Sequence, residues 1–268
     1  MRIITHIKPH LDDICAAWLL RRYSADHQDA ELEFVATDKD GGRAHDDLNT
    51  TCVGIGRGKF DEHKGDLDDC AATLIYKSLV GGAPWPPAER KAIEKIVNWV
   101  KLEDTGKLVA EPRHEFGIPA MLRGHYLAMG RDSVEAAKLG FIVLDALLEI
   151  SREQVRLDAD WEGRTEFTSR WGQAVALETD ARDADAYAYG RGFVLVVLSD
   201  PEDGYLSVRA QAESSVDLTA AYDTLRQREP NADWYLHHSK KMLICGGDVA
   251  PDSQRSQIKP ADLIELLK

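Results

Sequence analysis

The sequence is poor in the features that mark secreted, membrane-spanning and nucleic-acid-coating proteins. It holds only 4 cysteines in 268 residues. Cys15, Cys52, Cys70 and Cys245 stand far apart with no C-x-x-C pair. That spacing excludes a zinc knuckle or a disulfide framework and predicts buried thiols in a reduced compartment. Long apolar runs are missing too. The most hydrophobic stretch, Phe193–Leu198, falls far short of the roughly 20 residues that span a bilayer. Met1-Arg2 runs straight into an apolar strand pattern with no secretory leader, so a cytoplasmic protein without a membrane partner is expected. Positive charge is scarce: 33 Lys and Arg face 46 Asp and Glu, for a net charge of −13. This excludes a surface that binds nucleic acid non-specifically over a large area, because such affinity comes from neutralised phosphates. A polyanion would have to meet a local basic pocket or a metal. What is present is a 44% hydrophobic content, enough for the core of one large domain or two modest ones.

The chain is organised around Arg2–Asp13, R-I-I-T-H-I-K-P-H-L-D-D. An apolar run at Ile3-Ile4 leads to His6, His10 and Asp12, and a helical pattern through Ile14, Cys15, Trp18 and Leu19 follows. This is the pattern of a strand that delivers side chains to the mouth of a parallel sheet, with a helix carrying the chain away. Two imidazoles and a carboxylate so close together suit Mn²⁺, Fe²⁺ or Zn²⁺. The same residues also suit a polar strand-to-helix turn with Asp12 or Asp13 as its N-cap. Cys52–Lys77 repeats the logic with a short strand, a glycine-rich turn, Asp61-Glu62-His63 and a helix. Two such units are hard to explain as caps alone. The spacing of Gly54, Gly56 and Gly58 is not a dinucleotide fingerprint, which needs a helix opening at its last glycine.

Between these units Glu31–Thr37 reads as a strand ending in a loop that carries Asp38. Further on, Pro87 is placed to open a helix with Ile93, Ile96, Val97 and Val100 inward, running to Asp104 with Gly106 as its cap. A helical pattern from Pro119 to about Trp161 breaks at 129–132. The polar run Arg156–Arg170 is the expected boundary of a smaller α/β unit. That unit has strands near 174–177, 193–199 and 205–212, a helix with Leu218 to Leu225 on one face, and a last helix opened by Pro260. Alternation puts Tyr205, Ser207, Arg209 and Gln211 on the polar face of one strand.

The motifs His6-x-x-Pro9-His10-x-Asp12 and Asp61-Glu62-His63 resemble the DHH phosphoesterase superfamily, whose first motif is H-x-x-P-D-x-D and whose signature is Asp-His-His. Within it the chain is most similar to the Myg-type (melanocyte proliferating gene) family of metal-dependent RNA exonucleases. The resemblance implies that His6, His10, Asp12, Glu62 and Asp104 hold divalent metal, Mn²⁺ first and Mg²⁺ as an alternative. His63 would contact the scissile phosphate or act as an acid, with Asp61 orienting it. It further implies that Trp234–Met242 and Gly246-Gly247, matching the family's F-V-H-x-S-G-F and glycine pair, contact phosphate through His237, His238, Ser239, Lys240 and the glycine amides, with Arg209 beside them. Read without the family, Asp104 is equally a helix end, and 237–240 a solvated hairpin tip. The chain departs from the family where Lys240 replaces a glycine and Glu62 a histidine. A third departure is at Gly54, the position of a metal-bridging carboxylate in a V-D-V-G-G strand end. Either Asp38 takes over that role, or the site holds one metal or none.

The expected fold is two-lobed α/β. A mostly parallel N-terminal domain over 1–130 would be followed by a helical linker over 131–165 and a smaller α/β domain over 166–268. The expected activity is metal-dependent hydrolysis of phosphodiester bonds in a short oligonucleotide, or a related small phosphodiester, in the cleft between the lobes. The alternatives are a non-catalytic nucleotide-binding or regulatory module and a small-molecule pyrophosphatase or phosphatase. A homodimer is compatible with either.

Overall fold

The computed structural model describes residues 1–37, 46–64, 68–82, 84–108, 114–130, 132–200, 202–247 and 250–268. The chain forms two compact units, Met1–Arg152 and Glu153–Lys268. The fold is α/β.

In the first unit, β1 (Arg2–His6) is the central strand of a three-stranded parallel sheet, flanked by β2 (Glu31–Val35) and β3 (Thr50–Cys52). Helix α1 (Leu11–Tyr23) connects β1 to β2 and is buried from Leu11 through Leu20. It is enclosed by α2 (Ala71–Gly82) and α3 (Pro87–Asp104). That explains why the stretch Ile14 to Leu20 is apolar all round rather than on one stripe. Pro87 does open α3, where the missing N–H costs nothing, and Ile93, Ile96, Val97 and Val100 form its buried face. After α4 (Ile118–Met129), the long helix α5 (Ser133–Asp160) lays Ala136, Ala137, Leu144 and Leu148 into the same core. It crosses α1 closely at Gly140, where a Cβ would lie 2.5 Å from the Ile14 Cγ2. No helix among the described residues is long and apolar enough to cross a membrane.

The second unit is a six-stranded mixed sheet in the order β4-β5-β6-β7-β9-β8. Its strands are β4 (Thr165–Ser169), β5 (Gly172–Glu178), β6 (Leu195–Asp200), β7 (Tyr205–Ala210), β8 (Trp234–Leu236) and β9 (Met242–Cys245). Among the described residues only β5 and β6 of this sheet pair in parallel, and α6 (Ala184–Tyr189) makes that crossover. One face packs on α7 (Thr219–Arg228) and α8 (Pro260–Leu267) through Leu218, Leu225, Leu263 and Leu267. The other packs on α6 and the end of α5 through Leu157, Trp161, Ala184 and Ala188.

Two elements depart from the sequence reading. The polar run at 156–170 holds the last turn of α5 and all of β4, an edge strand whose one large buried side chain is Phe167. A single apolar residue leaves no alternation to read. In β7 the polar face is covered as well: Ser207 is fully buried and Arg209 half-buried, because β7 lies between β6 and β9 with packing on both faces.

Candidate metal centre

The site is built at the C-terminal ends of β1 and β3, where parallel sheets open outward. The chain leaves β1 at His6 and turns through Lys8, which is held at φ 58. Its amide donates to Ser133 Oγ at 3.0 Å, and Tyr126 Oη donates to the Pro9 carbonyl at 2.8 Å. A non-glycine residue in this conformation persists only where its surroundings impose it. His10 stands at the N-cap of α1, and its amide donates to Asp13 Oδ2 at 2.9 Å. His6 Nδ1 lies 2.9 Å from the Ile7 carbonyl, which can only accept, so Nδ1 carries the proton and Nε2 is aimed at Asp13 Oδ2, 2.9 Å away. The hydrogen bond to Asp13 is the main reason the His6 pKa is raised to about 9, against the opposing effect of burial.

From β3 the chain passes Gly54 at φ +61 and reaches Asp61 through a second left-handed non-glycine residue, Arg57. Asp61 is 1% exposed and accepts from the Arg57 amide at 2.5 Å and the His63 amide at 3.0 Å. It also lies 2.9 Å from His63 Nδ1. The His63 ring is therefore oriented from behind by a buried carboxylate while remaining 68% exposed. Burial works to lower its pKa, but the Asp61 hydrogen bond and the Glu62 charge together raise it. Beside it the Glu62 side chain is 12% exposed, and among the described residues its buried Oε2 has no hydrogen-bond partner.

The third contribution comes from Asp104, the last residue of α3. Carboxylates are disfavoured at a helix C-terminus, where the backbone already presents unpaired carbonyls and the dipole is negative. Asp104 nevertheless joins His10 and Asp12 in a group whose ligand atoms lie within 4.8 Å of one another. His6, His10 and Asp13 form a second such group, and Asp61, Glu62 and His63 a third. Glu62 is near enough for its charge to act on His6 and Asp12, and Asp13 for its charge to act on Glu62, His63 and Asp104.

The cluster sets five carboxylates, Asp12, Asp13, Asp61, Glu62 and Asp104, against three imidazoles. Burial, reinforced by the Asp13, Asp104 and Glu62 charges, pushes the Asp12 carboxyl well above the usual range. Burial likewise raises Glu62, to about 7, and Asp104. A divalent cation would relieve this crowding. Imidazole nitrogens, carboxylate oxygens and the orphaned Glu62 Oε2 together fit such an ion.

Of the residues expected from the sequence, His6, His10, Asp12, Asp61, Glu62, His63 and Asp104 are thus gathered in the first unit. Asp38 lies outside the described residues. Asp13 was read only as a cap, yet it is 2% exposed and central to the cluster. Its spacing of three from His10 at a helix start, which puts the two on one face, was the available signal.

In the second unit the expected phosphate contacts divide. Arg209, Gly246 and Gly247 line a cavity of about 820 Å³ together with Tyr205, Tyr235 and Asp203. Arg209 donates to Tyr205 Oη at 2.8 Å and to Asp185 Oδ2 at 3.2 Å, while its buried Nε has no partner among the described residues. His237, His238, Ser239 and Lys240 are not among the lining residues. They form the turn between β8 and β9, where Lys240 takes φ 60 and pairs with Asp217 at 3.2 Å. The glycine expected at that position has the same conformational meaning, a left-handed turn residue.

No protein-family model matches the sequence, and no curated protein matches it. Among solved structures, one that is similar is a DHH domain described as belonging to a family of ribosomal proteins. The TM-score is 0.37 at 9% identity, over 99% of this chain and 85% of that one. Another is RecJ from Thermus thermophilus in complex with Mg²⁺, with a TM-score of 0.30 at 15% identity. The similarity covers 100% of this chain and 55% of RecJ, so the chain spans about half the length of that protein. Both likenesses are loose, and the chemistry has to be read from the site itself.

Proposed function

We propose that the protein is a metal-dependent phosphoesterase of the DHH type, cytoplasmic and preferring Mn²⁺. Its substrate would be a short oligonucleotide or a related small phosphodiester. The observation that carries this reading is the gathering of His6, His10, Asp12, Glu62 and Asp104, from three separate segments, in a cluster where acids outnumber imidazoles and burial raises the Asp12, Glu62 and Asp104 carboxyls. When bound, divalent ions supply the charge that stabilises the attacking and leaving oxygens of an in-line phosphoryl displacement. The chain does the rest. The Ile7 carbonyl holds the His6 Nδ1 proton and leaves Nε2 to serve as a donor. Asp61 fixes the His63 ring so that its exposed Nε2 can contact the phosphate or pass a proton to the leaving oxygen. In the second unit, Arg209, whose guanidinium also pairs with Asp185 and Tyr205, and the glycine pair line the cavity that would take a phosphate.

The test is Mn²⁺ content after purification without chelator, followed by hydrolysis of a chromogenic phosphodiester and a short oligonucleotide. Asp12→Asn is expected to lower the rate by at least ~100-fold while the protein stays folded. Full activity in that variant would sink the assignment. Nucleotide binding without hydrolysis under any divalent ion would instead support the non-catalytic module.

A further inference from the structure

Resting on that reading, we propose that Asp13, in the first turn of α1, is a metal ligand that stands in for the strand-end carboxylate Gly54 lacks. A Cβ built on Gly54 would lie 1.9 Å from Asp13 Oδ1 and 3.1 Å from its Cγ. The Asp13 carboxylate therefore occupies the space in which any side chain at 54 would begin. A strand-end aspartate at 54 and Asp13 in its present rotamer exclude one another, and the glycine is the counterpart of the aspartate. The residue expected to be missing has been supplied from the neighbouring helix.

Capping alone does not account for Asp13. Its Oδ2 accepts from the His10 amide, as the N3 residue of a capping box does, but that role is ordinarily filled at the surface. Here Asp13 and its neighbour Asp12 are both 2% exposed, side by side. Two adjacent carboxylates withdrawn from water need either a compensating cation or a bound proton. His6 Nε2 lies 2.9 Å from Asp13 Oδ2. Oδ1 faces Gly54 instead, on the side of the loop that carries Asp61, Glu62 and His63. Independently of Asp13, the buried Glu62 Oε2 has no hydrogen-bond partner among the described residues. A buried carboxylate oxygen without a partner is the kind of group that a bound cation satisfies. Ligand atoms of His6, His10 and Asp13 lie within 4.8 Å of one another, and the close approach of Asp13 Oδ1 to Gly54 sets the same carboxylate against the segment that follows β3.

The experiment is Mn²⁺ titration of the full chain by calorimetry, with electron paramagnetic resonance to identify coupled ions, on four proteins. These are the wild type, Asp13→Asn, Asp13→Ala and the swap Asp13→Ala/Gly54→Asp. Asp13→Asn keeps an oxygen for the His10 amide and is expected to lose one Mn²⁺ equivalent, or to weaken binding at least ~10-fold. Asp13→Ala should do the same. The swap should regain the lost binding, because aspartate tolerates the left-handed region better than most residues. Unchanged stoichiometry and affinity in Asp13→Asn would overturn the role of Asp13 and leave the phosphoesterase reading standing. A wild type that takes up no Mn²⁺ would overturn both. If Asp13→Asn does not fold, the swap decides: wild-type Mn²⁺ binding supports the ligand role, and failure to bind overturns it.

Discussion

Gly54→Ala tests the geometry at the heart of the site without any metal. The substitution adds one methyl group to a buried residue at φ +61. A left-handed backbone costs a non-glycine residue about 1–2 kcal/mol. The new Cβ would also meet Asp13 Oδ1 at 1.9 Å, so the carboxylate has to retreat by more than 1 Å. Asp13 is not free to do so, because its Oδ2 is held at 2.9 Å by both the His10 amide and His6 Nε2. Losing one charge-assisted hydrogen bond adds ~1.5–3 kcal/mol. The expected total of about 3–5 kcal/mol lies in the upper tail of single substitutions, and at roughly 2–4 °C per kcal/mol it lowers Tm by roughly 6–20 °C. With two compact units in the chain, a single two-state transition is not assured, so hydrogen exchange of the α1 amides is the sharper readout for the first unit. The cycle with Asp13→Ala isolates the cause. In that background the clash is gone, and Gly54→Ala should cost only the backbone part, ~1–2 kcal/mol. An equal cost in both backgrounds would refute the close approach of Asp13 to Gly54.

Leu144→Ala removes a fully buried side chain of α5 and should destabilise the first unit by ~2–5 kcal/mol, read from denaturant unfolding. Glu89 accepts from Arg152 at 2.8 and 2.6 Å and from Tyr23 Oη at 2.6 Å, and these partners, Arg152 first, hold its pKa below the ordinary carboxylate value. Its stabilisation is therefore present above the unfolded-state pKa and is lost as pH falls through the lower folded-state value. Glu89→Gln should cost about 1 kcal/mol at pH 7 and little at pH 3, so the two unfolding curves should converge in acid. In the second unit, Arg209→Ala should weaken mononucleotide binding and flatten its salt dependence with Mn²⁺ content unchanged. Lys240→Ala, outside the cavity lining and paired with Asp217, should leave both unaltered.

Short-range chemistry carried much of this protein in its sequence. Pro87 at the head of α3 and Gly106 after its end mark that helix because both act through their own backbone, and they put Asp104 at its terminus. The apolar run through Ile3 and Ile4 followed by helical spacing gives β1, the turn and α1, and with them the positions of His6, His10 and Asp12. Donor types needed no structure either, since imidazole and carboxylate are properties of the residues. Other features depended on pairing between distant segments. The parallel register that sets Ile4 against Cys52 brings the ends of β1 and β3 together, and so brings Gly54 beneath Asp13. Periodicity identifies strands but says nothing of their register. It therefore could not say which carboxylate would fill the space at Gly54. The same holds for β4, which exists because β5 offers it an edge, and for Arg209, whose polar face of β7 is covered by a second layer. Local propensity set the elements and their chemical content, while register and layer packing, which act between residues far apart in the chain, decided which side chains meet.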